Sequence, residues 1–225
     1  MFIPTFTMMA MGLAMLVSYH GCNNSTHGNH SMRGSGHIIT ATRSVSECDG
    51  ITLRSQGNVY LTHGDDQSIR IEADDNIMGR VVAEREGGTL VVGLPEGKYS
   101  DVTLRFYVSM KHIRCVELDG AGTIETTNQF ESESMDCTIN GAGSIDLKGN
   151  CDKLRCTING AGSMDLRDFK AKEARAELNG AGKCSVFATD RVYGIVNGVG
   201  VITYYGNPGQ VNSHLSGIGF MTNGD

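Results

Sequence analysis

A five-residue motif recurs six times in the second half of the chain. It reads apolar-Asx-Gly-Ala-Gly at Leu118–Gly122, Ile139–Gly143, Ile158–Gly162 and Leu178–Gly182. Val196-Asn197-Gly198-Val199-Gly200 is a fifth copy, and Leu215-Ser216-Gly217-Ile218-Gly219 a looser sixth. The Asx places at 119, 140, 159, 179, 197 and 216 lie 21, 19, 20, 18 and 19 residues apart. A near-constant period of this length marks stacked units, none of which can bury its apolar face alone.

The flanks of each motif alternate. Before the Asx residue come Met135, Cys137, Ile139; Leu154, Cys156, Ile158; Ala174, Ala176, Leu178; and Val192, Gly194, Val196, apolar or small at every second place. After it come Ile145 and Leu147, Met164 and Leu166, Cys184 and Val186, Ile202 and Tyr204. Between them stand Asp136, Thr138, Asp146, Arg155, Thr157, Asp165, Arg175 and Glu177. Period-two alternation predicts strands with one buried face. Each repeat therefore holds two short strands joined at Asn-Gly-Ala-Gly.

Asn-Gly is a strong hairpin signal, so a meander competes with a solenoid in which each repeat is one coil. The register favours the solenoid, because like residues at each repeat would stack about 4.8 Å apart on neighbouring coils. The expected fold is all-β, a right-handed parallel β-helix with an irregular β-structured N-terminal part. Asp119, Asn140, Asn159, Asn179 and Asn197 would form a ladder at one corner. There Asn and Gly are expected to supply left-handed backbone.

The first half alternates without the motif, at Ile51-Leu53, Val59-Leu61, Ile69-Ile71, Leu90-Val92 and Val102 to Val108. Turns fall at Gly57-Asn58, His63 to Asp66 and Glu86 to Gly88, with a short helix expected near Asp75–Ala83. This half reads as an irregular start that caps one end of the stack.

Phe6–Val17 is an uncharged apolar run of 12 residues. It is too short for a membrane span of about 20 residues and suits the core of a signal peptide. Residues 1–21 are thus expected to be that peptide. Ser18-Tyr19-His20-Gly21-Cys22 resembles a bacterial lipobox, with Cys22 the lipidated first residue of an envelope lipoprotein. Residues 22–44 are polar and rich in Gly and Ser and read as a flexible tether, leaving 45–225 as a single domain.

The repeated Ile-Asn-Gly-Ala-Gly behind a signal peptide resembles the head GIN domain family, described as auto-transporter adhesins. Gly57 to Thr62, Ile69 to Ala73 and Gly88 to Val92 are similar to that family's opening strands. The resemblance spans about residues 45–205. It implies an exported or envelope-anchored β-solenoid of the Bacteroidetes type, with an adhesive role and no catalytic residue to carry over.

Seven cysteines in an exported chain raise the question of disulfides. Cys137, Cys156 and Cys184 stand at inward places and read as small buried hydrophobes, with a Cys137–Cys156 bridge as the alternative. Glu125, Asp146 and Asp165 share one outward repeat place, and Lys148 and Arg167 follow two residues behind Asp146 and Asp165. This face reads as a solvated ion-pair lattice or a candidate ligand face for a glycan, a protein or calcium. A polysaccharide lyase or hydrolase is the competing reading, since such sites need clustered acids beside a base. No insertion loop stands between Gly120 and Gly200 to wall a cleft, and no Trp offers a sugar platform. No metal-ligand cluster, phosphate loop or cofactor motif is evident. The net charge of −6 excludes the usual electrostatic footprint of a nucleic-acid binder. The expected role is non-enzymatic, an adhesin or binding module joined to the membrane through its N-terminal lipid. A scaffold for another envelope protein is a further reading.

Overall fold

Alternating residues become strands because a side chain on a pleated backbone points to opposite faces at successive positions. The computed structural model describes residues 31–225. The first half contributes β1 (Met32–Arg33), β2 (Ile38–Arg43), β3 (Gly50–His63), β4 (Ser68–Asp74) and α1 (Asp75–Met78). It continues with β5 (Val82–Glu86), β6 (Thr89–Gly93), β7 (Tyr99–Ser100) and β8 (Leu104–Met110). The repeats supply β9 (Cys115–Thr126), β10 (Phe130–Ile139), β11 (Ala142–Asp146), β12 (Gly149–Ile158) and β13 (Ala161–Leu178). They end with β14 (Ala181–Val196), β15 (Val199–Tyr205), β16 (Gln210–Leu215) and β17 (Ile218–Asn223).

Every strand pairing within the repeats is parallel. The chain is a β-solenoid, and the Asn-Gly corners close no hairpin there. Equivalent residues sit directly above one another. Val59, Ile124, Ile145, Met164, Cys184 and Ile202 form one buried column. Leu53, Leu118, Ile139, Ile158, Leu178 and Val196 form another. Full burial of such a side chain contributes roughly 1.5–3 kcal/mol, so the two columns supply much of what holds the coils together.

The first half joins this stack through β3, which pairs in parallel with β9 on one edge and with β6 and β8 on the other. Beyond it the pairing turns antiparallel, β8 with β4, β4 with β2, and β6 with β5. The helix is shorter than its pattern predicts and covers only Asp75–Met78. Val82 and Ala83 instead open β5.

Two expectations are corrected. The tether does not run to residue 44, because β1 and β2 lie within its range and β2 adds an antiparallel strand to β4. Gly36 turns the chain between them at φ +80, and its amide donates to Asp74 Oδ1 at 2.7 Å. The strand that pairs, Ile38–Arg43, is itself rich in β-branched Ile and Thr, which suit a sheet, and the Gly- and Ser-rich part ends before it. Residues 1–30, with the expected signal peptide and Cys22, lie outside the described residues.

The second correction concerns the corners. Among the described non-glycine residues only Ser55, Asp101 and Asn207 have positive φ, so the repeat asparagines are not left-handed. Nor is Gly160, whose need is spatial: a Cβ there would fall onto the carbonyl oxygen of Gly141, one coil back. Gly141 meets Gly120 in the same way, and Gly180 meets Gly160. Stacked coils leave no room for a side chain along that line.

Candidate binding face

The corner asparagines are joined by their side chains. Asn159 Nδ2 donates to Asn140 Oδ1 at 2.8 Å, Asn179 to Asn159 at 3.0 Å, and Asn197 to Asn179 at 2.8 Å. Asn140 Nδ2 finds Glu117 Oε1 at 2.7 Å, so Glu117 heads the series and Asp119 stands outside it. An amide carries both a donor and an acceptor, so each can serve the coil above and the coil below. Asp has no donor when ionised, which is why Asp119 can stand only before such a series.

Glu125, Asp146 and Asp165 fall in one column on consecutive coils, through β9, β11 and β13. Their spacing is that of paired strands, about 4.8 Å. The three carboxylates are not alike. Arg167 Nε donates to Asp165 Oδ1 at 2.9 Å, and the Arg167 backbone N–H donates to the same oxygen at 3.3 Å. The guanidinium holds the Asp165 carboxyl below the usual carboxylate range. Asp146 goes the other way: burial, then the charge of Asp165, pushes its pKa up. Lys148 lowers it only as a nearby charge and forms no ion pair among the described residues. The Arg167 guanidinium also faces the Tyr205 ring, 5.9 Å from its centroid.

The column does not end at Glu125. Tyr60 on β3 pairs with Glu125, and Tyr107 on β8 pairs with Tyr60. The two rings stack with centroids 5.0 Å apart, and Arg70 lies 3.8 Å over the Tyr107 ring. Tyr107 Oη donates to Glu72 Oε2 at 3.1 Å. In the other direction the column runs through Ser185, Thr203 and Thr222. One polar column thus runs along the described stack, from an aromatic pair through three carboxylates to a run of hydroxyls. Sequence reading missed Tyr60 and Tyr107. They lie 65 and 18 residues from Glu125 in the chain, and no repeat links the first half to the motif copies.

The six cysteines of the described residues are free thiols. Cys137 and Cys156 are register partners on the inward side. Burial raises Cys137 well above the ordinary thiol range and pushes Cys151 up to about 12. Thiols held protonated in an apolar column are packing groups. A cleft of about 890 Å³ opens away from the carboxylate column, with Glu47, Asp49, Arg85, Arg114 and Glu131 in its lining. Arg114 is already paired with Asp49 there. Among the described residues no group of His, Cys, Asp or Glu is arranged to hold a metal ion, and no helix is long and apolar enough to cross a membrane.

A family model described as "Putative auto-transporter adhesin, head GIN domain" matches residues 47–208. The chain belongs to the head GIN domain family. This GIN chain has the fold of a "putative adhesin" from Bacteroides fragilis, with 20% identity, a TM-score of 0.70, and coverage of 86% of this chain and 100% of that one. A "putative adhesin" from Parabacteroides merdae is similar at 16% identity and a TM-score of 0.52, covering 87% of this chain and 99% of its own. A "putative lipid binding protein" from Parabacteroides distasonis gives 18% and 0.57, covering 87% of this chain and 100% of its own. No curated protein matches the GIN chain.

Proposed function

We propose that this GIN chain is a non-enzymatic adhesin or binding module of the cell envelope. Residues 1–21 direct export, and Cys22 carries the lipid that joins the domain to the membrane. The ligand meets the column of Glu125, Asp146 and Asp165, flanked by Lys148 and Arg167, with Tyr60 and Tyr107 at its end.

The observation that carries this reading is the in-register column itself. It is rigid because its spacing is set by the backbone ladder, and a rigid face loses little entropy when it binds. A flat row of carboxylates and hydroxyls suits a polymer with repeating hydroxyl or cationic groups, either a glycan or a protein. Its middle carboxylate, Asp146, has no ion-pair partner among the described residues to give up on binding.

The test is a binding screen of the full chain against glycans and matrix proteins, with and without calcium, with cleavage products assayed in the same wells. Saturable binding lost in the Asp146→Asn, Asp165→Asn double variant supports the face. Binding that the double variant keeps overturns it, and new chain ends in the wells overturn the non-enzymatic reading. Labelled palmitate in the wild type but not in Cys22→Ser tests the anchor.

A further inference from the structure

The repeat changes its outward residues at its last turn. The column Ala142, Ala161, Ala181 continues as Val199 and Ile218. Its neighbour Ser144, Ser163, Lys183 continues as Val201 and Phe220. Ile218 is 80% exposed and Phe220 56%. The inward columns also end uncovered here, with Val211 and Leu215 exposed on β16. Among the described residues β17 pairs only with β15, and β16 only with β14, so each has one edge without a strand partner there.

Open edges are normally guarded by charge, proline or a bulge. This one carries none of the first two: Gly209 to Gly224 holds no Asp, Glu, Lys, Arg or Pro. The rest of the chain is rich in charge. At the other end of the fold β5 is guarded by Glu84, Arg85 and Glu86 in succession, and the edge strand β2, though it exposes Ile38 and Ile39, carries Arg43. We infer that the last coil is a self-association surface, on which a second copy of this chain docks tail to tail.

The chemistry selects a copy of the same surface. An uncharged apolar edge meets its own image without placing like charges opposite one another. A two-fold axis across the edge makes β17 run antiparallel to its copy, and antiparallel pairing satisfies the open backbone groups of both. The contact is isologous, the same strand serving on both copies, so the two-fold itself closes it at two. The inference stands on the edge alone and does not depend on the ligand of the carboxylate column.

The experiment places a photo-crosslinking p-benzoylphenylalanine at Ile218 in the full chain, expressed in cells. The expected product is a band at twice the chain mass, reduced at least tenfold in Phe220→Asp. A probe at Glu84 should give no such band. Phe220 is more than half exposed, so Phe220→Asp should keep the wild-type far-UV circular dichroism spectrum, which separates lost docking from lost folding. Sedimentation of the purified full chain should show the same dimer. Three results overturn the inference: no band at twice the mass, a ladder of higher multiples from head-to-tail growth through β2, or crosslinks only to another protein.

Discussion

The N-terminal sheet and the repeated stack bury apolar columns of the same kind, yet they treat their turns in opposite ways. In the stack, each corner lies directly on the corner of the coil before it. Gly141, Gly160 and Gly180 meet backbone oxygen where a Cβ would stand, and the asparagines beside them bond in series. In the N-terminal sheet the turn between β5 and β6 stands free. Gly87, between β5 and β6, has φ +61 and nothing within 4 Å of its Cβ direction. Glycine is thus required for space at Gly141, Gly160 and Gly180 and for backbone conformation at Gly87. A repeat fold constrains its corners because it must repeat there at strand spacing, and a hairpin has no such neighbour.

The largest expected effect that follows is at Gly160. Gly160→Val places a side chain against rigid backbone on the neighbouring coil and should cost more than about 3 kcal/mol. Circular dichroism should show a chain that fails to fold or melts far below wild type. A small loss would mean that the coils can separate at the corner.

Next comes the amide series. Asn159 donates one bond and accepts another, and a typical net hydrogen bond contributes about 1 kcal/mol, so Asn159→Ala should cost about 1–2 kcal/mol. Asn159→Gly sharpens the comparison. If the corner required left-handed backbone, Gly would be neutral and Ala costly. With the amides as the cause, denaturant melts should show both variants destabilised, Gly the more so.

Gly87→Ala is the matched change in the other region. It meets no atom, so only its positive φ opposes it, and the expected loss is about 1 kcal/mol. A loss as large as that of Gly160→Val would abolish the distinction between the two kinds of turn.

The smallest effects lie on the carboxylate column and have opposite signs. Asp146 has a raised pKa, so its native form binds a proton that the unfolded chain has already released. Ionised, it costs stability, and that cost appears as pH rises through its titration range. Asp146→Asn should therefore raise Tm by about 1–2 °C near pH 7, with the gain vanishing in acid below both pKa values. Asp165 has a lowered pKa, so its contribution is present above the unfolded carboxylate range and is lost as pH falls through the native value. Asp165→Asn should lower Tm slightly at pH 7, the pair with Arg167 being solvent-screened and contributing less than about 1 kcal/mol. Calorimetry of both variants across pH checks the two signs together, and equal signs would show that the two carboxylates share one environment.

The period of the motif and the alternation of its flanks were enough to determine a solenoid, its inward columns and the stacking of Glu125, Asp146 and Asp165. Those properties follow from spacing, and spacing is written along the chain. What the corner glycines and asparagines do was legible only in part. Their places were evident, but whether Asn159 answers a backbone torsion or a neighbouring amide depends on what lies one coil away. The pairing of β2 with β4 was hidden because Ile38–Arg43 lacks any turn or repeat that names its partner. Tyr60 and Tyr107 reach the carboxylate column for the same reason: their register comes from β3 and β8 docking on the stack. Local periodicity determines which way a side chain faces. Only the tertiary fold decides which distant strand stands beside it, because that choice is made by the whole set of edges competing to be paired.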